Sequence, residues 1–419
     1  MASLCTFPTR DSGSAFEPIV SLPLAKSRPK SIRHALTWLA WTALAIGVSL
    51  GVLFGKNRTV TTYYHESAAA WMDGHDLYRP NGMGFIYLPQ AAVLFSPFNM
   101  LHQPLADVLW RTLSLAVLAW GVWRLAALVR QHWQIEVFPE VSLLTMVAFA
   151  SCARNGQATL LMTAMMLHAI VDLHNRNWWR ATAWLSLGLM IKPLIVVLWL
   201  LSAALFKPMR LRLATGFLIV LAVPFFTQSP EYVARQYQAA VTMLTTASKL
   251  GMETTWAHPF GALRVAGVEV PNLLQTGIRA VLAVATLAAC WFAIRSKEQR
   301  FSSLYLLAFS TVYILLMNPR SENSTYGMLG PALGLFAVIA WKADRRPFLA
   351  GFLVLLTGLM VGSYELGKLL TPGERPIWLA PLAATAFAMY LVTDLIRRQP
   401  EVADVVPFAQ PAQFKRRAA

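Results

Sequence analysis

The chain has 419 residues, 56% hydrophobic and 13% charged, with a formal net charge of +16. A soluble protein of this length carries about a quarter charged residues, so the composition excludes an ordinary water-soluble globule and points to a bilayer. Three scattered cysteines, Cys5, Cys152 and Cys290, provide neither a disulfide framework nor a metal-ligand spacing.

In chain order, residues 1–34 are rich in Ser, Pro and Lys, and read as a disordered basic cytoplasmic tail. Residues 36–55 form the first apolar run, long enough to cross hydrocarbon about 30 Å thick as a helix. No small-x-small pattern follows it, so it reads as a retained anchor and not a cleaved signal peptide. Further apolar helices are expected near 109–128, 140–153, 157–173, 180–191, 193–206, 212–227, 276–294, 302–317, 326–341, 347–363 and 378–397. The expectation is an all-α, polytopic membrane bundle of about 12 transmembrane or re-entrant helices, occupying residues 35–398. Apolar runs without strand-like alternation exclude a barrel, and unpaired backbone is not tolerated in lipid. Residues 399–419, with three prolines and a closing Lys-Arg-Arg, read as a second tail.

About 23 of the 36 Lys and Arg residues fall in the tails and in one alternating set of connections, including Lys207/Arg210/Arg212 and Lys342/Arg345/Arg346. The positive-inside rule assigns that face to the cytoplasm, with both ends inside. The basic excess is thus a topology signal, and nucleic acid is not an expected partner, because no basic helix with interleaved aromatics stands clear of the membrane. Three longer segments remain for the outer face, at 56–107, 228–275 and 365–376. Residues 85–101 are read as a surface helix there, since a crossing would invert every later connection.

Charged groups at the membrane edge are costly and mark candidate sites: Arg154, Lys192, Arg320 and Glu322. Pro193 removes a backbone donor and breaks a helix directly after Lys192. Lys192 then either contacts substrate or snorkels as a cap. Arg320 and Glu322 either touch substrate or pair with each other. Asn155 and Gln157 are candidate substrate hydrogen-bonders, and His258 is either substrate-facing or structural. Asp76 and Tyr78, beside Gly74, either shape the loop or contact substrate.

The first loop reads Tyr63-Tyr64-His65-Glu66-Ser67-Ala68-Ala69-Ala70-Trp71-Met72-Asp73-Gly74-His75-Asp76-Leu77-Tyr78, and later Tyr87-Leu88-Pro89 and Phe95-Ser96-Pro97-Phe98. This resembles glycosyltransferase family 87, as do Asn155-Gly156-Gln157, Ile191-Lys192-Pro193 and Asn318-Pro319-Arg320 in the same order. The resemblance spans residues 36–397 and implies the C-type membrane glycosyltransferase fold. It further implies a polyprenyl-phosphate sugar donor, with mannose as the hexose, and a lipid or glycan acceptor. The active side would be the extracytoplasmic side of the plasma (inner) membrane. Such an enzyme needs a first-loop carboxylate to take the acceptor proton and cations to receive charge on the leaving phosphate.

The chain departs from the family where the acid belongs, carrying Val60-Thr61-Thr62. Glu66, assisted by His65, is one replacement; Asp73 or Asp76 is another; a loop with no base is the third. No cofactor is required by the sequence, although the acidic loop leaves room for a divalent metal. A transporter or flippase is the alternative class, and it predicts an inverted repeat, which is not visible here. A noncatalytic member of the same fold is the other alternative.

Overall fold

The computed structural model describes residues 32–55, 59–78, 84–249, 256–295, 299–373 and 376–398. Both expected tails therefore lie outside the described residues, apart from the helical start at 32–34 and below 399. Every regular element among the described residues is helical.

The first anchor is α1 (Ile32–Leu53). The first long loop folds into α2 (Thr61–Met72) and α3 (Pro89–Asn99), which pack on each other. Then follow α4 (Gln103–Trp133), α5 (Phe138–Asn155), α6 (Ala158–His174) and α7 (Trp178–Ile191). A short 3-10 turn (Pro193–Ile195) leads into α8 (Val196–Leu205) and α9 (Met209–Ala222). The second long loop carries α10 (Pro230–Lys249) and α11 (Pro259–Val265). Next come α12 (Asn272–Arg295) and α13 (Gln299–Met317), then a 3-10 helix (Asn323–Leu329) running into α14 (Gly330–Lys342). The chain closes with α15 (Pro347–Val361), α16 (Ser363–Leu370) and α17 (Leu379–Arg397).

Among the described residues, six helical stretches are long and apolar enough to cross a membrane: Ile32–Leu53, Gln103–Trp133, Met209–Phe226, Asn272–Arg295, Asn323–Lys342 and Leu379–Arg397. The α15–α16 pair makes a seventh but bends by 81°. Ala158–His174, Pro193–Leu205 and Phe301–Met317 are apolar but shorter. The segment expected as a surface helix over 85–101 holds α3, an eleven-residue helix beginning at Pro89, with Pro89, Gln90, Ala91, Ala92 and Phe95 buried and only Pro97 exposed.

Two helices form the centre. Every residue of α6 from Ala158 to Leu173 is buried, and α14 is buried from Gly330 to Ala340. Small residues allow this closeness: a Cβ on Gly327 would come within 2.6 Å of the Ala148 carbonyl oxygen on α5. Close backbone approach of this kind is how helices associate where lipid removes the hydrophobic drive. The periphery is apolar in the opposite sense, with Leu36, Leu39 and Ile46 of α1 and Leu218 and Ile219 of α9 exposed.

Several charged groups join helices of the bundle in pairs. The fully buried Asp172 of α6 accepts from both Arg124 terminal nitrogens, at 2.7 and 3.2 Å, and from Trp184 Nε1 at 2.9 Å. Tyr305 and Arg398 both donate to Asp394, and Arg398 also pairs with Asp344. Lys342 and Arg33 converge on Glu140. A buried charge left alone is expensive, so these pairs lock helix registers.

Candidate functional site

Three chain breaks open the site. The first is at Gly156, which caps α5 in the left-handed conformation, φ +68°. Glycine is required there for two reasons: the φ, and a Cβ that would lie 2.6 Å from Thr61 Cγ2 and 3.0 Å from the Arg111 guanidinium carbon. The second is at Lys192, which is extended (φ −152°, ψ 122°) between α7 and the turn that Pro193 begins. The third is the 318–322 linker between α13 and the 3-10 helix, ending at an extended Glu322 (φ −91°, ψ 155°). Breaks like these are tolerated at membrane depth only where they line a cavity or are buried in protein.

Together with the start of α2 and the 84–87 strand of chain, these breaks enclose a cavity of about 320 Å³. Its size lies at the lower end of the ~300–1,000 Å³ usual for small-ligand sites. Lys192 and Arg320 bring two cations to the wall and Glu322 one carboxylate, so the described lining carries a net charge of two minus one, +1. Lys192 Nζ donates to Thr159 Oγ1 at 2.7 Å. The Arg320 guanidinium lies 5.3 Å from the Trp256 ring centre, a cation–π distance. Glu322 Oε2 accepts from Gln157 Nε2 at 2.7 Å and from Ser324 Oγ at 3.3 Å. Gln157 is itself fixed by Ser324 Oγ, which accepts from its Nε2 at 3.0 Å, and by the Cys152 thiol, which donates to its Oε1.

Aromatic groups complete the wall. Tyr64 stacks on Phe95 with ring centres 4.4 Å apart and shares a hydrogen bond with Tyr87 Oη at 3.2 Å. Its hydroxyl accepts from the Ala158 backbone N–H at the start of α6. Burial pushes the Tyr64 phenol up to about 12, so it acts as a neutral hydrogen-bonding group.

A second cavity of about 330 Å³ lies beyond the same partition, between α5 and the α15–α16 bend. Arg154, Asn323, Ser324 and Tyr364 line it. Behind α2 sits a compact polar cluster. His65 Nε2 is 3.1 Å from Asp107 Oδ1, and Arg111 lies 3.4 Å from the other Asp107 oxygen. Arg111 also donates to Thr59 Oγ1, which is 2.5 Å from Thr61 Oγ1.

Of the residues singled out in the sequence, Gln157, Lys192, Arg320 and Glu322 meet on one cavity. Arg154 faces the second cavity, and Asn155 is half-buried with its backbone oxygen accepting from Val60 N. His258 caps α11, its Nδ1 accepting from Gly261 N, and is almost fully buried. Tyr78 donates to the Tyr87 carbonyl and so braces the first loop on itself, while Asp76 accepts from Gln236 and ties that loop to α10. Glu66 and Asp73 are exposed and are not among the lining residues of the cavity. At 3.6 residues per turn Glu66 lies about 110° around α2 from the midline of Tyr63 and Tyr64, the two side chains that line it. Thr159, Trp256 and Tyr64 are wall residues that the sequence did not mark as a site; only the fold brings them there. Among the described residues no cluster of three or more His, Cys, Asp or Glu side chains is gathered for a metal.

The fold and the site define a multi-pass helical membrane protein whose broken helices collect two cations, a carboxylate and aromatic side chains around one cavity. The model of glycosyltransferase family 87 matches residues 85–319, more than half of the chain, and the chain belongs to that family. It is also 27% identical over 405 residues to the polyprenol-phosphate-mannose-dependent alpha-(1-2)-phosphatidylinositol mannoside mannosyltransferase of Mycobacterium tuberculosis, a match covering 87% of this chain and 90% of the relative. No solved structure matches.

Proposed function

We propose that this glycosyltransferase moves mannose from a polyprenyl-phosphate donor to a lipid or glycan acceptor, at the extracytoplasmic face of the plasma (inner) membrane. The observation that carries the reading is the pairing of Lys192 and Arg320 on one cavity wall with Gln157 and Glu322. The polyprenol-phosphate-mannose dependence in the name of the mycobacterial relative supports the same donor class. When the bond from mannose C1 to the phosphate oxygen breaks, the phosphate gains one negative charge. Fixed cations that meet that charge act on the transition state more than on the bound donor. Gln157 and Thr159 offer hydrogen bonds suited to sugar hydroxyls, and the Tyr64–Tyr87 pair walls the site on the α2 side.

The sidedness follows from charge. The cavity lies at the start of α6, whereas the far end of that helix, His174, adjoins the basic turn containing Arg176 and Arg180. With basic turns inside, both tails are cytoplasmic and the cavity opens outward. In this reading residues 35–398 are one membrane domain, 56–107 its first outer loop, and no cofactor is needed.

The direct test uses the purified full chain in proteoliposomes with radiolabelled polyprenyl-phosphate mannose and phosphatidylinositol mannoside. Label should move into the acceptor lipid, and Lys192→Met with Arg320→Met should abolish the transfer. Folded protein that leaves all label on the donor, with this acceptor and with a total lipid extract, would refute the reading.

A further inference from the structure

We infer that Glu322 is the general base of the transfer, supplying from the end of the chain's third break the carboxylate that the first loop lacks. The inference rests on the donor reading above and adds a residue role to it.

The first loop itself shows why a replacement is needed. Of the three residues at the position where the family resemblance calls for an acid, Val60 faces the cavity. Thr61 is buried and turns the other way, toward Thr59, Asp107 and His65. The wall that should carry a carboxylate is therefore apolar at that point. Other acids are poorly placed. Glu66 and Asp73 are exposed on α2 or its C-terminal end and are not among the lining residues. Asp107 is engaged by His65 and Arg111, and the recess that holds it is about 10 Å³, roughly the smallest space that admits one water.

Glu322 is exposed too and has hydrogen-bond partners of its own, but it borders the cavity. It is the one carboxylate among the described residues lining the cavity. Its Oε2 is held by Gln157 and Ser324, so the side chain is aimed and not free to sweep. Tyr64, Tyr87, Lys192 and Arg320 all lie within electrostatic reach of it. A base and the cations that receive leaving-group charge must border the same space, because one displacement uses both. In that step the acceptor oxygen forms a bond to mannose C1, and the C1–O bond to phosphate breaks. The acceptor proton passes to Glu322, and polyprenyl phosphate departs with the bonding pair and its added charge beside Lys192 and Arg320.

Glu322→Gln tests this without dismantling the wall, since its carbonyl can still accept from Gln157. With radiolabelled polyprenyl-phosphate mannose and phosphatidylinositol mannoside, kcat should fall at least 100-fold while the donor KM stays within threefold. Glu322→Ala should regain turnover with added formate, a readout that a purely structural residue would not give. Glu322→Asp should retain partial activity and a shifted acidic limb in its pH profile, which keeps the test decisive if the glutamine variant is unstable. Turnover of Glu322→Gln above one third of wild type, or a loss confined to KM with no formate rescue, would overturn the role. Wild-type transfer in the same assay separates that result from failure of the donor reading, under which wild type itself would be inactive.

Discussion

Replacing Lys192 by methionine keeps its length and apolar stem but removes the ammonium. In the structure Nζ is 2.7 Å from Thr159 Oγ1 and borders the cavity that also holds Arg320. The substitution removes a charged hydrogen bond, worth about 1.5–3 kcal/mol. In the proposed transfer the ammonium also meets the leaving phosphate, and that interaction strengthens as the phosphate gains charge, so the loss falls on kcat. The expected decrease in kcat/KM is about 10- to 150-fold at 1.36 kcal/mol per decade. Thr159 is left with its hydroxyl free to bond elsewhere, and the chain break at Pro193 is untouched, so folding should be preserved. The assay is initial-rate transfer from polyprenyl-phosphate mannose in proteoliposomes, with donor concentration varied and a thermal melt run in parallel. A variant that melts like wild type and keeps kcat/KM within threefold would refute a phosphate role for Lys192. A pure KM effect would mean that it binds donor and transition state equally.

Three further outcomes follow from packing and titration. His258 is buried, and burial, reinforced by the Arg279 cation, holds its imidazole down at about 4 against an ordinary value of 6.5. The unfolded chain therefore binds this proton first, so stability is full above pH 6.5 and declines as pH falls toward 4, by up to about 3 kcal/mol. His258→Gln should flatten the fall in melting temperature between pH 7 and 4.5, and an unchanged slope would count against it. Gly156→Ala meets Thr61 and Arg111, whereas Gly74→Ala has the same handedness of backbone (φ +72°) and nothing within 4 Å. The first should cost clearly more than the roughly 1 kcal/mol of the second in a melting comparison, and equal losses would contradict the packing at Gly156. Asp172→Asn strands Arg124 in the bundle and should cost about 3–5 kcal/mol, read as a large drop in melting temperature; a loss below about 1 kcal/mol would show the pair to be dispensable.

The long apolar helices were legible because lipid demands one uniform property over a full span. Runs at 36–55, 276–294 and 378–397 needed no tertiary information to be read as α1, α12 and α17. Lys192 and Gln157 were legible for a local reason, since Pro193 and Gly156 beside them interrupt a helix in any context. Which acids share the cavity was not legible. That depends on the rotation of α2, which turns Tyr63 and Tyr64 inward, and on a linker 250 residues later that brings in Glu322. Thr159 and Trp256 carry no local mark at all; one sits in an apolar helix and the other in a long loop, and only assembly sets them beside a cation.

The extended backbone at Lys192 places the cation at a joint between two apolar segments, α7 and α8, neither of which has the length of a full span. The ammonium is therefore carried by the angle between two short rods, and its depth changes whenever that angle does. Bilayer thickness sets how steeply short rods must tilt. The membrane would in this sense be a mechanical part of the site: lipids of different acyl-chain length are expected to stand the positive charge at different depths, with no side chain changing its identity.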